Sequence, residues 1–364
     1  MHATIDSTAL AAALKTSVAP TNTPHPTLTH ALVRAEGESL VLETTDSATY
    51  MRHTLPCKVH TPGEALLRVA LLRPIAAAPG DVVLRDDGRV SRGRSNFRVP
   101  ASDVSAWPAE REEAWQRVDI DPAVLAAAIK SAGYAADDDT MYTNVRGLHI
   151  HGGLVWGSDG ISLSYADIGY TGPSITIPDG QVPRVVPMLQ EGAVIEIGNV
   201  NHDVAGVLRV TAGEQQLSVR LLGAKATDIR AIAKGASYCA EHSAIKRDVL
   251  LAAVKRFLPF ASILGESKAK GLPVMILAMV GGELYLADRA EENREVISEA
   301  VLTAGPDFRA ALDPRRLVSA LMAVDSNVIA LHAPQKGKGM ASWMLYEDQG
   351  DAESTAHLIS QMNI

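Results

Sequence analysis

Few residues in this sequence are spaced for chemistry. His149 and His151 alternate in "HIHG" and would share one face of a strand, as two metal ligands would. No third ligand stands at a useful spacing, so no metal is expected. Asp137, Asp138 and Asp139 sit in a polar stretch. They lack the apolar surroundings that raise a carboxyl pKa for acid–base work. "QKGKGM" (335–340) mixes glycine and lysine as phosphate loops do. It lacks GxxxxGK[ST] and a following helix, so it reads as a basic hairpin tip. No GxSxG, nucleophile–base pair or cofactor loop is found. The expectation is a protein without catalysis, cofactor or metal.

The elements that would position any site form a triplicate. "LAAALK" begins at Leu10, "LAAAIK" at Leu125 and "LLAAVK" at Leu250. Asp6, Asp121 and Asp248 precede them as N-caps, Pro122 suits a first helical position, and each hexamer ends in lysine: Lys15, Lys130, Lys255. Further on come "ESLVLETTD", "GGLVWGSDG" and "GGELYLADR", each a turn followed by alternating apolar residues. Asp46, Asp159 and Asp288 in these runs are expected to end strands or make turns. A second helix is expected at 63–74, 179–190 and 313–324, weakest in the middle copy because of Pro183 and Pro187. Strand-like runs follow, such as 81–85, 193–197 and 327–331. Each third thus reads helix, strands, helix, strands. The fold class is α+β, with two helices on antiparallel sheet in each of three domains: 1–115, 116–242 and 243–364.

The chain has 364 residues, 47% hydrophobic, 21% charged and 4% aromatic, so its cores are aliphatic. No apolar run approaches the roughly 18 residues that span a bilayer, and the first residues lack a signal-peptide pattern. Cys57 and Cys239 have no CxxC spacing and read as reduced thiols, which points to the cytoplasm. The net charge of −8 argues against a nucleic-acid partner until its distribution is considered. The expected helices carry Lys15, Arg68, Arg73, Lys130, Arg184, Lys246, Arg247, Lys255, Arg256, Arg315 and Arg316, with acids almost confined to the N-caps. Acids crowd elsewhere, at 110–113, 137–139, 291–295 and 347–353. Basic helices in an acidic chain could bind a polyanion through phosphates, without reading base edges.

These features resemble the bacterial beta sliding clamps, the processivity subunits of DNA polymerase III. The resemblance rests on "PTLTHALVRAEGESLVLETTD" (26–46), "SDGISL" (158–163), "LSVRLLGAKATDIRAI" (217–232), "KRDVLLAAVKRFL" (246–258) and the final "STAHLISQMNI". It implies a head-to-tail homodimer, a six-domain ring with helices lining the hole, the basic residues above facing double-stranded DNA. By position it implies an interface of Arg92, Arg94, Phe97 and Val99 on one side, and Ile263, Leu264, Glu291, Glu292 and Glu295 on the other. It also implies a cleft for short peptides of DNA polymerase and clamp loader, lined by Thr143, Gly160, Leu163, Thr227, Ile232, Leu358, Ile359 and Met362. The chain departs from the family pattern there. Ile161 and Ser162 stand where the family has His-Arg, Thr227 where it has Pro, and Ala231 where it has Arg. The tail 360–364 also differs, so an altered peptide preference is expected. The other readings are a clamp-like decoy or adaptor that does not encircle DNA, and an enzyme on a triplicated scaffold, which the missing catalytic set disfavours.

Overall fold

The computed structural model describes all residues except 112, 224–226, 265–271, 336–339, 348–353 and 363–364. Its helices are α1 (Ser7–Lys15), α2 (Val69–Ala76), α3 (Pro122–Ala132), α4 (Val182–Val185), α5 (Ile229–Gly235), α6 (Arg247–Leu264) and α7 (Pro314–Ala323). The chain forms two compact units, Met1–Ala123 with Pro183–Leu221, and Val124–Val182 with Leu222–Ile364.

The repeated hexamers lie in α1, α3 and α6. Asp6 caps α1 by accepting from the backbone N–H of Thr8 (2.9 Å) and Ala9 (3.1 Å). Leu10, Ala13 and Leu14 then recur at helical spacing and are buried. Asp121 accepts from Ala123 N at 2.7 Å before α3, and Asp313 accepts from Arg315 N at 3.0 Å before α7.

The second helices depart from expectation in two of three cases. Residues 63–68 form a strand, Gly63–Arg68, and α2 begins only at Val69. Alanine and leucine favour helix, but pairing with His30–Glu36 satisfies this segment's backbone and overrides propensity. Around 179–190 the helix is broken into a 3₁₀ turn (Asp179–Gln181), the four residues of α4 and another 3₁₀ turn (Val186–Met188). Pro183 and Pro187 lack the N–H a continuous helix needs. The third, α7, forms as expected.

In the first unit, α1 and α2 pack on a core of aliphatic residues including Leu10, Leu42, Leu67, Leu72 and Leu84. A five-stranded antiparallel sheet runs in the order Lys58–Thr61, His2–Asp6, Asp81–Arg85, Arg89–Arg92, Ser95–Arg98, leaving Ser95–Arg98 at its edge. A nine-stranded antiparallel sheet joins 30–68 to 194–220 by pairing Thr49–Pro56 with Gln215–Arg220. In the second unit, another nine-stranded sheet joins Ser162–Tyr170 to Thr355–Ser360. Strand pairing therefore joins segments on either side of positions 115 and 242, the boundaries expected from sequence. The four-stranded sheet runs Arg294–Val296, Glu283–Ala287, Met275–Val280, Phe308–Leu312, with Arg294–Val296 at one edge. Its core with α6 and α7 includes Leu250, Phe257, Leu317 and the fully buried Trp343.

His149 and His151 do lie on one strand, Leu148–His151. His149, however, is a core residue, stacked on Trp156 with ring centroids 3.8 Å apart. Asp46, Asp159 and Asp288 make turns, each carboxylate accepting from backbone N–H groups two to five residues ahead.

Candidate functional site

The second unit carries a groove of about 470 Å³, built by two local devices and one long-range pairing. The first is the turn at 158–163. Asp159 Oδ1 accepts from the N–H of Ile161 (2.9 Å) and Ser162 (2.6 Å). The Ser158 hydroxyl donates to Ser162 O (2.8 Å) and accepts from Gly160 N (3.1 Å). Gly160 takes φ +84°, a conformation that glycine adopts without strain. The second device is α5, capped by Asp228, which accepts from Arg230 N at 3.1 Å. It buries Ile229 and leaves Ile232 exposed. The third is the pairing of Leu163 with Leu358, which brings residues almost 200 apart in sequence onto one wall. The Ser360 hydroxyl donates to Ile161 O at 2.8 Å and fastens the strand end to the turn.

The lining is apolar, with Val145, Trp156, Leu163, Ile229, Ile232 and Leu358, and it is edged by Ser158, Ser162, Ser342 and Ser360. Among the described residues no charged side chain lines it. Such a groove can desolvate large apolar side chains and offer hydroxyls to a peptide backbone, but it has no ion to pair with an acidic residue.

No family model matches this sequence and no curated protein matches it. Solved structures do match over the whole length. A Caulobacter crescentus beta sliding clamp superposes with TM-score 0.83 at 18% identity, covering 100% of both chains. A Bacillus subtilis DNA polymerase sliding clamp gives TM-score 0.84 at 15% identity, covering 100% of this chain and 99% of that one. A Pseudomonas aeruginosa sliding clamp bound to griselimycin gives 0.82 at 19%, again covering 100% of both. This chain has the sliding-clamp fold.

Of the cleft residues expected from sequence, the clamp fold places Gly160, Leu163, Ile232 and Leu358 in the groove lining. Thr227 and Thr143 stand beside it, the Thr227 hydroxyl accepting from Asn144 Nδ2 at 2.8 Å. Ile359 is a correction. Strand side chains alternate between faces, so with Leu358 in the groove Ile359 enters the opposite core and is fully buried. Met362 also lies off the groove, its N–H donating to Ala311 O at 3.0 Å. Sequence reasoning missed Tyr142, Trp156, Ile229 and Met340. Ile229 had a signal, the Asp228 cap that starts α5, whereas Trp156 could only be read as core.

The cations of the clamp fold divide into two groups. Lys15, Arg68, Lys246 and Lys255 are exposed and make no ion pair among the described residues. Arg68 and Lys246 stand at strand ends rather than within helices. The others are engaged. Lys130 meets Asp325 at 2.7 Å, Arg184 meets Asp46 at 3.1 Å, and Arg247 meets Asp248 at 2.7 Å. Arg315 pairs with Asp313 at 2.7 Å, Arg256 with Glu295, and Arg316 with Asp159. Arg73 Nε donates to Leu14 O at 3.3 Å.

Of the expected interface residues, Phe97 and Arg94 are exposed at or beside the edge strand Ser95–Arg98. Arg92 Nη1 donates to Ile75 O at 2.9 Å. Val99 is a correction, since it is buried in the first unit's core and presents no surface. Ile263 is 76% exposed near the end of α6. The Leu264 side chain lies outside the described residues. Glu291 pairs with Arg309 and Glu295 with Arg256, while Glu292 is exposed. Among the described residues no helix is long and apolar enough to cross a membrane.

Proposed function

We propose that this protein is a DNA sliding clamp. Two copies close head to tail into a ring around duplex DNA, and the groove tethers a polymerase or clamp loader by a short peptide. The three repeats 1–115, 116–242 and 243–364 would each supply one sixth of that ring. The protein would act in the cytoplasm, without catalysis.

The observation that carries this reading is a pair of complementary sheet edges. Ser95–Arg98 ends one sheet, with exposed Phe97 and the cations Arg94 and Arg98. Arg294–Val296 ends another and carries Glu295, with Glu291 and Glu292 just before it in sequence, and Ile263 is exposed near the end of α6, which Arg256 ties to Glu295. An unpaired edge invites strand addition, and Glu292, which makes no ion pair among the described residues, favours the edge with Arg94 and Arg98 over its own copy. Because the two edges are different surfaces, the contact is heterologous and generates a ring when the rotation closes. Within the ring, Lys15, Arg68, Lys130, Lys246 and Lys255 would meet phosphates without reading sequence.

One observation favours a second reading, an adaptor that binds replication factors without encircling DNA. Arg184, Arg247, Arg256 and Arg315 are each neutralised by a neighbouring acid, which weakens attraction to a duplex. Solution mass with small-angle scattering separates the two. A particle of twice the 38.6 kDa chain mass with a central hole supports the clamp. A compact monomer at all concentrations overturns it in favour of the adaptor.

A further inference from the structure

We propose that Arg316 is a positioning residue of the peptide groove, holding the 158–163 turn in place, and is not a DNA contact. The inference rests on the groove being a peptide site.

Arg316 belongs to the first turn of α7, far in sequence from the groove. One nitrogen, Nη1, donates both to Asp159 Oδ2 and to the Ser162 hydroxyl, the latter at 3.1 Å. The other oxygen of the same carboxylate, Oδ1, accepts from the N–H groups of Ile161 and Ser162. Asp159 is therefore a two-sided coupling, with the guanidinium on one side and the backbone of the turn on the other. The far face of that turn is groove wall: Gly160, Ile161, Ser162 and Leu163.

Burial separates Arg316 from its neighbour. Arg316 and Asp159 are only 20% and 21% exposed, whereas Arg315 is 51% exposed and engages only Asp313 of its own helix cap. A charge-assisted bond in that shielded position is strong, and removing either partner leaves the other charge poorly solvated. A duplex phosphate would meet in Arg316 a shielded guanidinium whose charge Asp159 already neutralises. Arg315, also paired but 51% exposed, is the more accessible of the two to a phosphate.

The test compares wild-type protein with Arg316→Gln, Arg316→Lys and Asp159→Asn, using a fluorescein-labelled pentapeptide ending in two large apolar residues, which the apolar lining would desolvate. Anisotropy should show peptide affinity falling about tenfold in Arg316→Gln and Asp159→Asn, equivalent to about 1.4 kcal/mol. Arg316→Lys should recover much of it, because a single nitrogen makes both contacts. On a short duplex, the slope of log affinity against log salt should be unchanged in Arg316→Gln. A peptide affinity within about twofold of wild type, or a slope reduced by about 0.9, the value of one lost phosphate contact, overturns the proposal. If wild-type protein binds no peptide, the reading of the groove fails by itself. Amide hydrogen exchange at Ile161 and Ser162 then decides the role of Arg316 without a ligand. Faster exchange in Arg316→Gln supports it, and unchanged exchange overturns it.

Discussion

Tyr142 lies against the bare face of Gly160: a Cβ built on that glycine would stand 2.7 Å from Tyr142 Cδ2 and 2.8 Å from Cε2. Both residues line the groove, and Gly160 holds φ +84°. Gly160→Ala therefore carries two penalties, left-handed strain of about 1 kcal/mol and displacement of the Tyr142 ring. We expect a stability loss of about 1–2 kcal/mol by urea denaturation and a fall in peptide affinity of at least about tenfold. Unchanged peptide binding would show that the ring does not shape the site.

Lys130 Nζ and Asp325 Oδ1 meet at 2.7 Å, but their side chains are largely exposed. An exposed pair of this kind is worth less than about 1 kcal/mol. Its consequence is electrostatic: the carboxylate masks a cation of α3. Asp325→Asn should leave the melting temperature within about a degree and tighten duplex binding about threefold at low salt, the gain vanishing as salt rises. The triple change of Lys15, Lys130 and Lys255 to alanine should do the reverse and abolish retention on DNA. Retention equal to wild type in that variant would favour the adaptor.

In the proposed ring, closure would depend on the exposed apolar side chains Phe97 and Ile263. Phe97→Asp and Ile263→Asp should each convert the dimer to a 38.6 kDa monomer in light scattering, with melting little changed, because neither side chain belongs to a core cluster. Mixing the two variants tests the head-to-tail arrangement. One undamaged junction remains possible in the mixed pair, so partial dimer should reappear. Two variants that stay monomeric when mixed would point to a symmetric contact instead.

Stability should depend on pH through two buried histidines. Burial pushes both His149 and His357 down to about 4. His149 Nδ1 sits 3.1 Å from the Thr176 hydroxyl and His357 Nδ1 2.8 Å from that of Ser164, so both are held neutral in hydroxyl contacts. Their unfolded values lie near 6.5, so between about pH 6.5 and 4 the unfolded chain binds more protons than the folded one. Their stabilising contribution is complete above that window and is lost progressively down to about pH 4. The melting temperature should fall across the window, and His357→Asn should flatten the fall. A slope identical in the variant would place the pH dependence elsewhere.

The sequence made local structure legible and left most of the site ambiguous. The Asp6, Asp121 and Asp313 caps, the glycine turns and the aliphatic helix faces depend on residues within four or five positions of one another, so their geometry follows from adjacency. Resemblance points to Gly160, Leu163, Ile232 and Leu358 as cleft residues, and all four line the groove. Ile359 and Val99 failed because a resemblance transfers positions, while strand alternation and core packing decide which way a side chain points.

What the sequence determined by itself is the three repeated helices, two of them capped by Asp6 and Asp121 while Asp248 lies within the first turn of α6, and the turn-led strands. Only the tertiary structure decided that 63–68 is strand, that Asp325 masks Lys130, and that Arg316 serves Asp159. The physical reason is common to all three. Each depends on partners 28 to 195 residues away, and such pairings are settled by which backbone and charged groups folding brings within hydrogen-bond distance.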